Sequence, residues 1–311
     1  MNRDEPAITR RDLLKSLTLA AAALNLNPAT LLAAVRERIT RNIPKSGEPL
    51  AIMGLGSSVT FDVNPEEIGA LQLVQVMQAF FDNGGQLIDS SPMYGRAENI
   101  IGELLRQVTN RDGLFAATKV WTWGREEGIA QMQRSMELMG VEVMDLMQIH
   151  NLRDWEVHLQ TLREWKEQGK IRYIGITTSH GRDHDALERI LTTEPFDFVQ
   201  FSYNIIDRVA EQRLLPIAAD RGIATLINRP FQRGDLFRKV KGKALPDWAA
   251  EIDCASWGQI FLKFIAAHPA VTCIIPATAK LKHMVDNMAA GYGRLPDEAM
   301  RQKMIQYVEG L

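Results

Sequence analysis

The chain has 311 residues, 46% of them hydrophobic and 24% charged, which suits a globular protein of one large domain or two small ones. A net charge of −2 leaves no basic stripe for a nucleic-acid surface, and the densest basic run, Arg238 to Lys243, has the Gly and Pro neighbours of a solvated loop. Cys254 and Cys273 have neither CxxC spacing nor a nearby histidine, which argues against a bound metal; Cys273 reads as a small buried hydrophobe, with a disulfide between the two as the alternative.

In chain order the first feature is a leader. Thr9-Arg10-Arg11-Asp12-Leu13-Leu14-Lys15 precedes a mild apolar stretch, Leu17 to Leu26, that contains four consecutive alanines. The stretch is too short to stay in a bilayer as a spanning helix. Paired arginines before a modest apolar core resemble a bacterial twin-arginine export signal, with Leu13 where phenylalanine is frequent. Residues 1–35 are therefore expected to form a signal segment recognised by the twin-arginine export machinery. A periplasmic location follows, or a cytoplasmic one if the segment is instead an amphipathic helix packed on the body. The rest, 43–311, is expected to be one folded unit with no stable membrane span.

After a loop with Pro44, Gly47 and Pro49, short apolar or β-branched runs alternate with helical patterns. The predicted strands are Ile52–Leu55, Gln86–Ile88, Leu114–Thr118, Asp145–Ile149, Ile171–Ile176, Phe196–Phe201, Gly222–Ile227 and Val271–Ile275. The helical patterns include Glu66–Phe81, a segment from Arg96, Ile129–Met139, Trp155–Glu167, Ala186–Leu191, Glu211–Arg221 and Trp257–Ala267. Eight strands, each followed by a helix, predict an α/β fold, the (β/α)8 TIM barrel. An open doubly wound sheet is the alternative, but no Gly-x-Gly-x-x-Gly follows any strand.

Barrel enzymes carry their chemistry at the carboxyl ends of the strands. The polar residues there are Asp89, Lys119, His150, Thr177, Thr178, Gln200, Asn228 and Thr278, the first of them spaced about one strand–helix unit apart, so they are expected to converge on one rim. Tyr94 follows Asp89 in the loop Ser90-Ser91-Pro92-Met93-Tyr94-Gly95. Singly, each has a plain structural explanation: Asp89 as a helix cap, Tyr94 as rim packing, Lys119 as a solvated strand end, His150 as a structural histidine. Together they can act. A phenol has a pKa near 10, and a neighbouring ammonium is expected to bring it toward the working range. A carboxylate can keep that ammonium charged, and a histidine can hydrogen-bond a carbonyl oxygen. The set lacks a reductant, which a nicotinamide cofactor would supply.

Asp89 and Tyr94 in the pattern Asp-x4-Tyr-Gly, Lys119 in ATKVW and His150 in QIHN resemble the catalytic tetrad of the aldo-keto reductase family, and the likeness runs from about Ile43 to Leu295. The resemblance implies an NADP-dependent oxidoreductase that reduces an aldehyde or ketone, with the tyrosine as proton donor. It implies NADPH, with NAD less favoured, lying across the barrel mouth. Thr177, Thr178 and Gln200 match the positions that hold the nicotinamide carboxamide. Thr278 matches a phosphate-facing position, and Asp286 and Asn287 match those that contact adenine. Lys280, Lys282 and His283 crowd a helix start, where cations and free N–H donors favour phosphate. Three positions depart from the family pattern: Asn228, followed by Arg229, stands where an aromatic often stacks on the nicotinamide; Ser57 and Ser58 stand where a tryptophan is frequent; His283 replaces a common arginine. Ser58, Trp121, Trp123, Asn151, Leu152 and Phe231 are expected at the substrate pocket, with a small-molecule carbonyl compound as the partner. Two other readings remain: a redox-sensing module that binds NADP(H) with slow or no turnover, and a Schiff-base aldolase using Lys119.

Overall fold

A computed structural model describes residues 37–311. The expected leader, residues 1–35, lies outside them. The described chain begins with an antiparallel hairpin, β1 (Thr40–Asn42) and β2 (Pro49–Ala51), in the segment expected to be a loop. Eight parallel strands follow: β3 (Leu55–Gly56), β4 (Leu87–Asp89), β5 (Phe115–Val120), β6 (Met144–Ile149), β7 (Ile171–Thr177), β8 (Phe198–Ser202), β9 (Ala224–Asn228) and β10 (Cys273–Ile274). They pair in chain order, and the ends meet: Gly54 N–H donates to Ile274 O at 2.8 Å and Gly56 N–H to Pro276 O at 3.1 Å. The sheet thus closes on itself as the expected barrel.

The Gly-Leu-Gly sequence of the first stave has a steric reason. A Cβ on Gly54 would lie 2.9 Å from Cys273 Sγ and 3.0 Å from Leu87 O, and one on Gly56 would lie 2.8 Å from Ile275 O. Side chains at these positions would hold the closing staves apart.

The helices between the strands are α1 (Leu73–Asp82), α2 (Ala97–Leu105), α3 (Arg125–Met139), α4 (Trp155–Glu167), α5 (His184–Thr193), α6 (Leu214–Asp220), α7 (Asp235–Lys239), α8 (Trp257–Ala266), α9 (Leu281–Ala289) and α10 (Glu298–Glu309). Two expected helices are interrupted. Glu66–Phe81 resolves into a single 3-10 turn, Pro65–Glu67, and α1, because Gln72 adopts a left-handed backbone with φ 53°. Glu211–Arg221 likewise divides into a 3-10 turn, Val209–Glu211, and α6. The basic run expected as a solvated loop begins inside the short α7. Among the described residues Cys254 and Cys273 are both buried, and no disulfide joins the two.

Strand alternation sorts the side chains into two cores. Ile88, Ala116, Met147, Ile149, Ile174, Ile176, Val199, Phe201 and Ile227 face the helices. Leu87, Phe115, Ala117, Leu146, Tyr173, Phe198, Ala224, Leu226 and Cys273 fill the barrel together with Ile43 and Leu50 of the hairpin. The hairpin therefore closes the amino-terminal end of the barrel, and the Tyr173 hydroxyl reaches it through a 2.8 Å hydrogen bond to Ser46. Among the described residues the barrel itself is left open at its carboxyl end.

Candidate active site

The interior parity set by Leu87, Phe115, Leu146, Tyr173, Phe198 and Leu226 continues to the carboxyl ends of the strands as Asp89, Lys119, Gln148, Thr177, Gln200 and Asn228. The polar residues thus share the face of the apolar ones below them, and the expected convergence follows from period two. Asp89, Lys119, Thr177 and Asn228 lie within their strands and not just beyond them, as the apolar runs alone suggest.

Lys119 is fully buried. Its Nζ lies 2.6 Å from Asp89 Oδ2, donates to Ser90 O at 2.7 Å, and stands 5.0 Å from the centroid of the Tyr94 ring. Burial pulls its pKa down, but Asp89, first through its carboxylate charge, and Tyr94 outweigh that and raise it overall. A Schiff-base nucleophile needs a neutral amine, so this shift runs against the aldolase reading. The second Asp89 oxygen accepts from Gln148 Nε2 at 2.8 Å and Gln200 Nε2 at 3.1 Å. Gln148 was not among the expected residues, although its position two before His150 places it on the interior face.

Tyr94 differs from expectation in its titration. Burial raises the phenol pKa, Lys119 lowers it and Asp89 raises it, with a net shift upward. Lys119 therefore tempers a desolvated phenol and does not bring it to the neutral range. At working pH Tyr94 keeps its proton, as a donor must. His150 packs edge-on to the Tyr94 ring, 5.7 Å between centroids, and its Nδ1 is 2.9 Å from Ser91 Oγ. Burial, then the charges of Lys119 and Arg153, pull its pKa down to about 2, so the imidazole is neutral. The turn after it is tight: Asn151, Leu152 and Asp154 all have positive φ, a costly geometry of a kind concentrated at functional sites.

A cavity of about 660 Å³ opens above this group. Asp89, Tyr94, His150, Asn151, Thr177, Thr178, Gln200, Asn228, Arg229, Ser58 and Phe231 line it, as the sequence suggests for each. Two polar atoms on its wall, Thr178 Oγ1 and Arg229 Nε, are buried without partners among the described residues. An unpartnered hydroxyl and guanidinium N–H fit a ligand bearing amide and phosphate groups. His180, Arg182 and Arg233 also line the cavity and were not foreseen. Their loops carry no periodic signal, and only proximity in the fold reveals that Arg182, Arg229 and Arg233 press together on His180 and lower its pKa, after burial. None of the three arginines forms a salt bridge among the described residues, so the lip is a net positive surface suited to phosphate.

Other expected residues stand apart from this cavity. Trp121 and Trp123 do not line it: the guanidinium of Arg153 sits 4.5 Å from the Trp121 ring and 5.6 Å from that of Trp123, and the cation–π contacts hold both indoles beside the mouth. Thr278 is buried, and its hydroxyl accepts from Lys280 N–H at 3.1 Å. Both Asp286 oxygens are engaged, by Ser256 Oγ and Gln259 Nε2 at 2.7 Å each, which ties α9 to the start of α8. Asn287 is buried; Lys280, Lys282 and His283 are exposed around the start of α9 and form no salt bridge among the described residues.

A model of the aldo/keto reductase family matches residues 53–304. Among individual proteins, the chain is 28% identical over 182 residues to aldo-keto reductase YhdN of Bacillus subtilis, a match covering 54% of this chain and 54% of that protein. The match thus spans about half the length of that relative. It is 26% identical over 223 residues to methylglyoxal reductase YeaE of Escherichia coli, covering 70% of this chain and 78% of the relative. In fold it resembles an aldo/keto reductase from Klebsiella pneumoniae solved with NADP and acetate, with a TM-score of 0.72 at 20% identity over 86% of this chain and 94% of that one. The family match extends from the first barrel stave into the last helix and encloses every residue that lines the cavity: the chain belongs to the aldo/keto reductase family.

Proposed function

We propose that the protein is an NADP(H)-dependent oxidoreductase that reduces an aldehyde or ketone to an alcohol, with Tyr94 as general acid. The observation that carries this reading is the buried Asp89–Lys119 pair set against Tyr94, which is half-buried and lines the same cavity as His150. Complexes of related folds with NADP support the cofactor assignment. Thr177, Thr178, Gln200, Asn228 and Arg229 would hold the nicotinamide end. Thr278, Lys280, Lys282, His283, Asp286 and Asn287 would hold the adenine end, and the cationic helix start favours NADP over NAD. The bound nicotinamide supplies the hydride that no side chain can.

The chain's own groups do the rest. His150, neutral, offers an N–H to the carbonyl oxygen and polarises it. Tyr94 gives its proton to that oxygen as charge develops there. Lys119, held charged by Asp89, stabilises the phenolate left behind. Phe231, Asn151 and Ser58 give the carbonyl compound a mixed wall beside the reacting group.

Steady-state assays with excess NADPH and a panel of small aldehydes test the reading. Sustained turnover is expected. Oxidation of a single equivalent of bound NADPH, with no further cycles, would favour the redox-sensing module instead.

Among the described residues no helix is long and apolar enough to cross a membrane. We also propose that Arg10 and Arg11 direct export to the periplasm, on the strength of the TRRDLLK run before a short apolar stretch. Changing both arginines to lysine should leave a folded, full-length protein in the cytoplasm; unchanged periplasmic recovery would refute the export signal.

A further inference from the structure

One buried hydroxyl, that of Ser91, links His150 to the loop that carries Tyr94. Ser91 is fully buried at the end of β4, one residue after Ser90, whose carbonyl accepts from Lys119. It opens the turn that presents Tyr94: Tyr94 N–H donates to Ser91 O at 2.9 Å, and Met93 N–H donates to Ser91 Oγ at 3.1 Å. A serine side chain that accepts from the N–H two residues on is a common way to fix such a turn. The same Oγ lies 2.9 Å from Nδ1 of His150.

The donors and acceptors here can be counted. A hydroxyl has one proton and two lone pairs. If Nδ1 carried the imidazole proton, Ser91 Oγ would accept from both Nδ1–H and Met93 N–H. Its own proton would then be buried with no acceptor, since His150 and Met93 are its side-chain partners among the described residues. An unmade bond at a fully buried donor is the costly outcome. If Ser91 instead donates to Nδ1, its hydroxyl proton has an acceptor and its oxygen still accepts from Met93 N–H. The imidazole proton then sits on Nε2, the nitrogen with no hydrogen-bond partner among the described residues, on a side chain that lines the cavity.

We propose that Ser91 is a positioning residue that holds His150 as the neutral Nε2–H tautomer, so that the ring meets a carbonyl oxygen as a hydrogen-bond donor. The low pKa of the ring agrees, because a neutral imidazole has one donor and one acceptor and the tautomer decides which faces out. The ring plane is fixed independently by the perpendicular Tyr94 ring at 5.7 Å and the tilted Trp121 ring at 6.4 Å. Ser91 thus couples the two groups that act on the substrate oxygen: its backbone shapes the loop of the proton donor, and its hydroxyl sets the tautomer of the polarising group. The role in reduction rests on the carbonyl-reductase reading; the tautomer does not.

The test uses the full chain with NADP+ bound and its histidines labelled with 15N, His150 being assigned by its loss in His150→Gln. Long-range proton–nitrogen correlations at neutral pH distinguish the two ring nitrogens. The parent should show a protonated Nε2 and an unprotonated Nδ1. In Ser91→Ala the ring should shift toward Nδ1–H or exchange between tautomers. kcat/KM for an activated aldehyde should fall by at least roughly tenfold, less than the loss of about a hundredfold or more typical of deleting an oxyanion donor outright. Ser91→Thr, which keeps the hydroxyl, should restore the tautomer. A protonated Nδ1 in the parent overturns the proposal whatever the activity, and so does a Ser91→Ala protein with tautomer and kcat/KM unchanged. Nε2–H in a parent that reduces no carbonyl compound supports the role of Ser91 and counts against the reductase reading instead.

Discussion

His150 shows how far a side chain's environment departs from what its residue type suggests. A histidine at a strand end is ordinarily half-protonated near neutral pH, yet burial beside Lys119 and Arg153 holds this one neutral down to about pH 2. The consequence for stability has a definite sign. The unfolded chain binds a proton on this ring below its ordinary value near 6.5 and the folded chain does not, so stability falls as pH drops from there toward 2. One such group contributes a slope of at most about 1.4 kcal/mol per pH unit. His150→Gln should flatten the acid side of the stability curve by up to that amount, measured by urea unfolding between pH 4 and 7; an unchanged slope would mean the ring already titrates freely in the folded protein. Which strand-end residues would meet at one rim was legible in the sequence, because strand ends and alternation are local properties. The direction of the Tyr94 shift was not. It depends on how completely the surroundings exclude water, and a sequence reports which charges are near the phenol but not how dry it is.

Single elements were legible where burial and pattern agree. α4 has the bounds the sequence suggests, and α8 begins where expected, just after Ser256, whose hydroxyl accepts from Gln259 N–H. The pattern failed where the backbone turns without changing the apolar face, as at Gln72. It also missed α10, which buries Met304, Ile305 and Val308 in the core and an arginine beside them. Arg301 of α10, nearly buried, donates to Tyr203 Oη at 2.8 Å and to Glu298 at 2.8 Å, and pairs with Glu211 at 2.5 Å while its guanidinium lies over Phe264. A lone arginine in a mixed helix gives no sign of being such a latch. Arg301→Met should destabilise the protein by about 1 to 3 kcal/mol, because Glu211 loses its cation and keeps only the hydrogen bond from the Tyr203 hydroxyl. Urea unfolding measures this, and a loss below about half a kcal/mol, the range of an exposed salt bridge, would show that the pairing adds little.

For the whole molecule, the closed barrel explains why residues scattered over the sequence can act as one group. The hairpin seals one end and apolar layers fill the middle, so polar side chains of interior parity can emerge only at the carboxyl rim. The sequence made this architecture legible through eight alternating units; it did not show that Arg182 and Arg233 join Arg229 at the lip, because their loops come together only once the barrel closes. That lip and the lysines of α9 divide the cofactor reading between two places. Lys280→Ala with Lys282→Ala should weaken NADPH by about 1 to 3 kcal/mol, the worth of one or two charge-assisted hydrogen bonds, and change NADH far less. Equal losses, read by fluorescence titration, would mean these lysines do not recognise the 2′-phosphate.

If the barrel assembles a proton donor at Tyr94, Tyr94→Phe should remove it. The substitution keeps the ring that packs against His150 and removes the one proton the mechanism uses. NADPH affinity, measured separately, should be unchanged, while kcat/KM for an activated aldehyde such as a nitrobenzaldehyde falls by about 100-fold to 10,000-fold, the usual contribution of a general acid. Reduction within a few-fold of the parent would contradict the account, since another group would then be donating the proton.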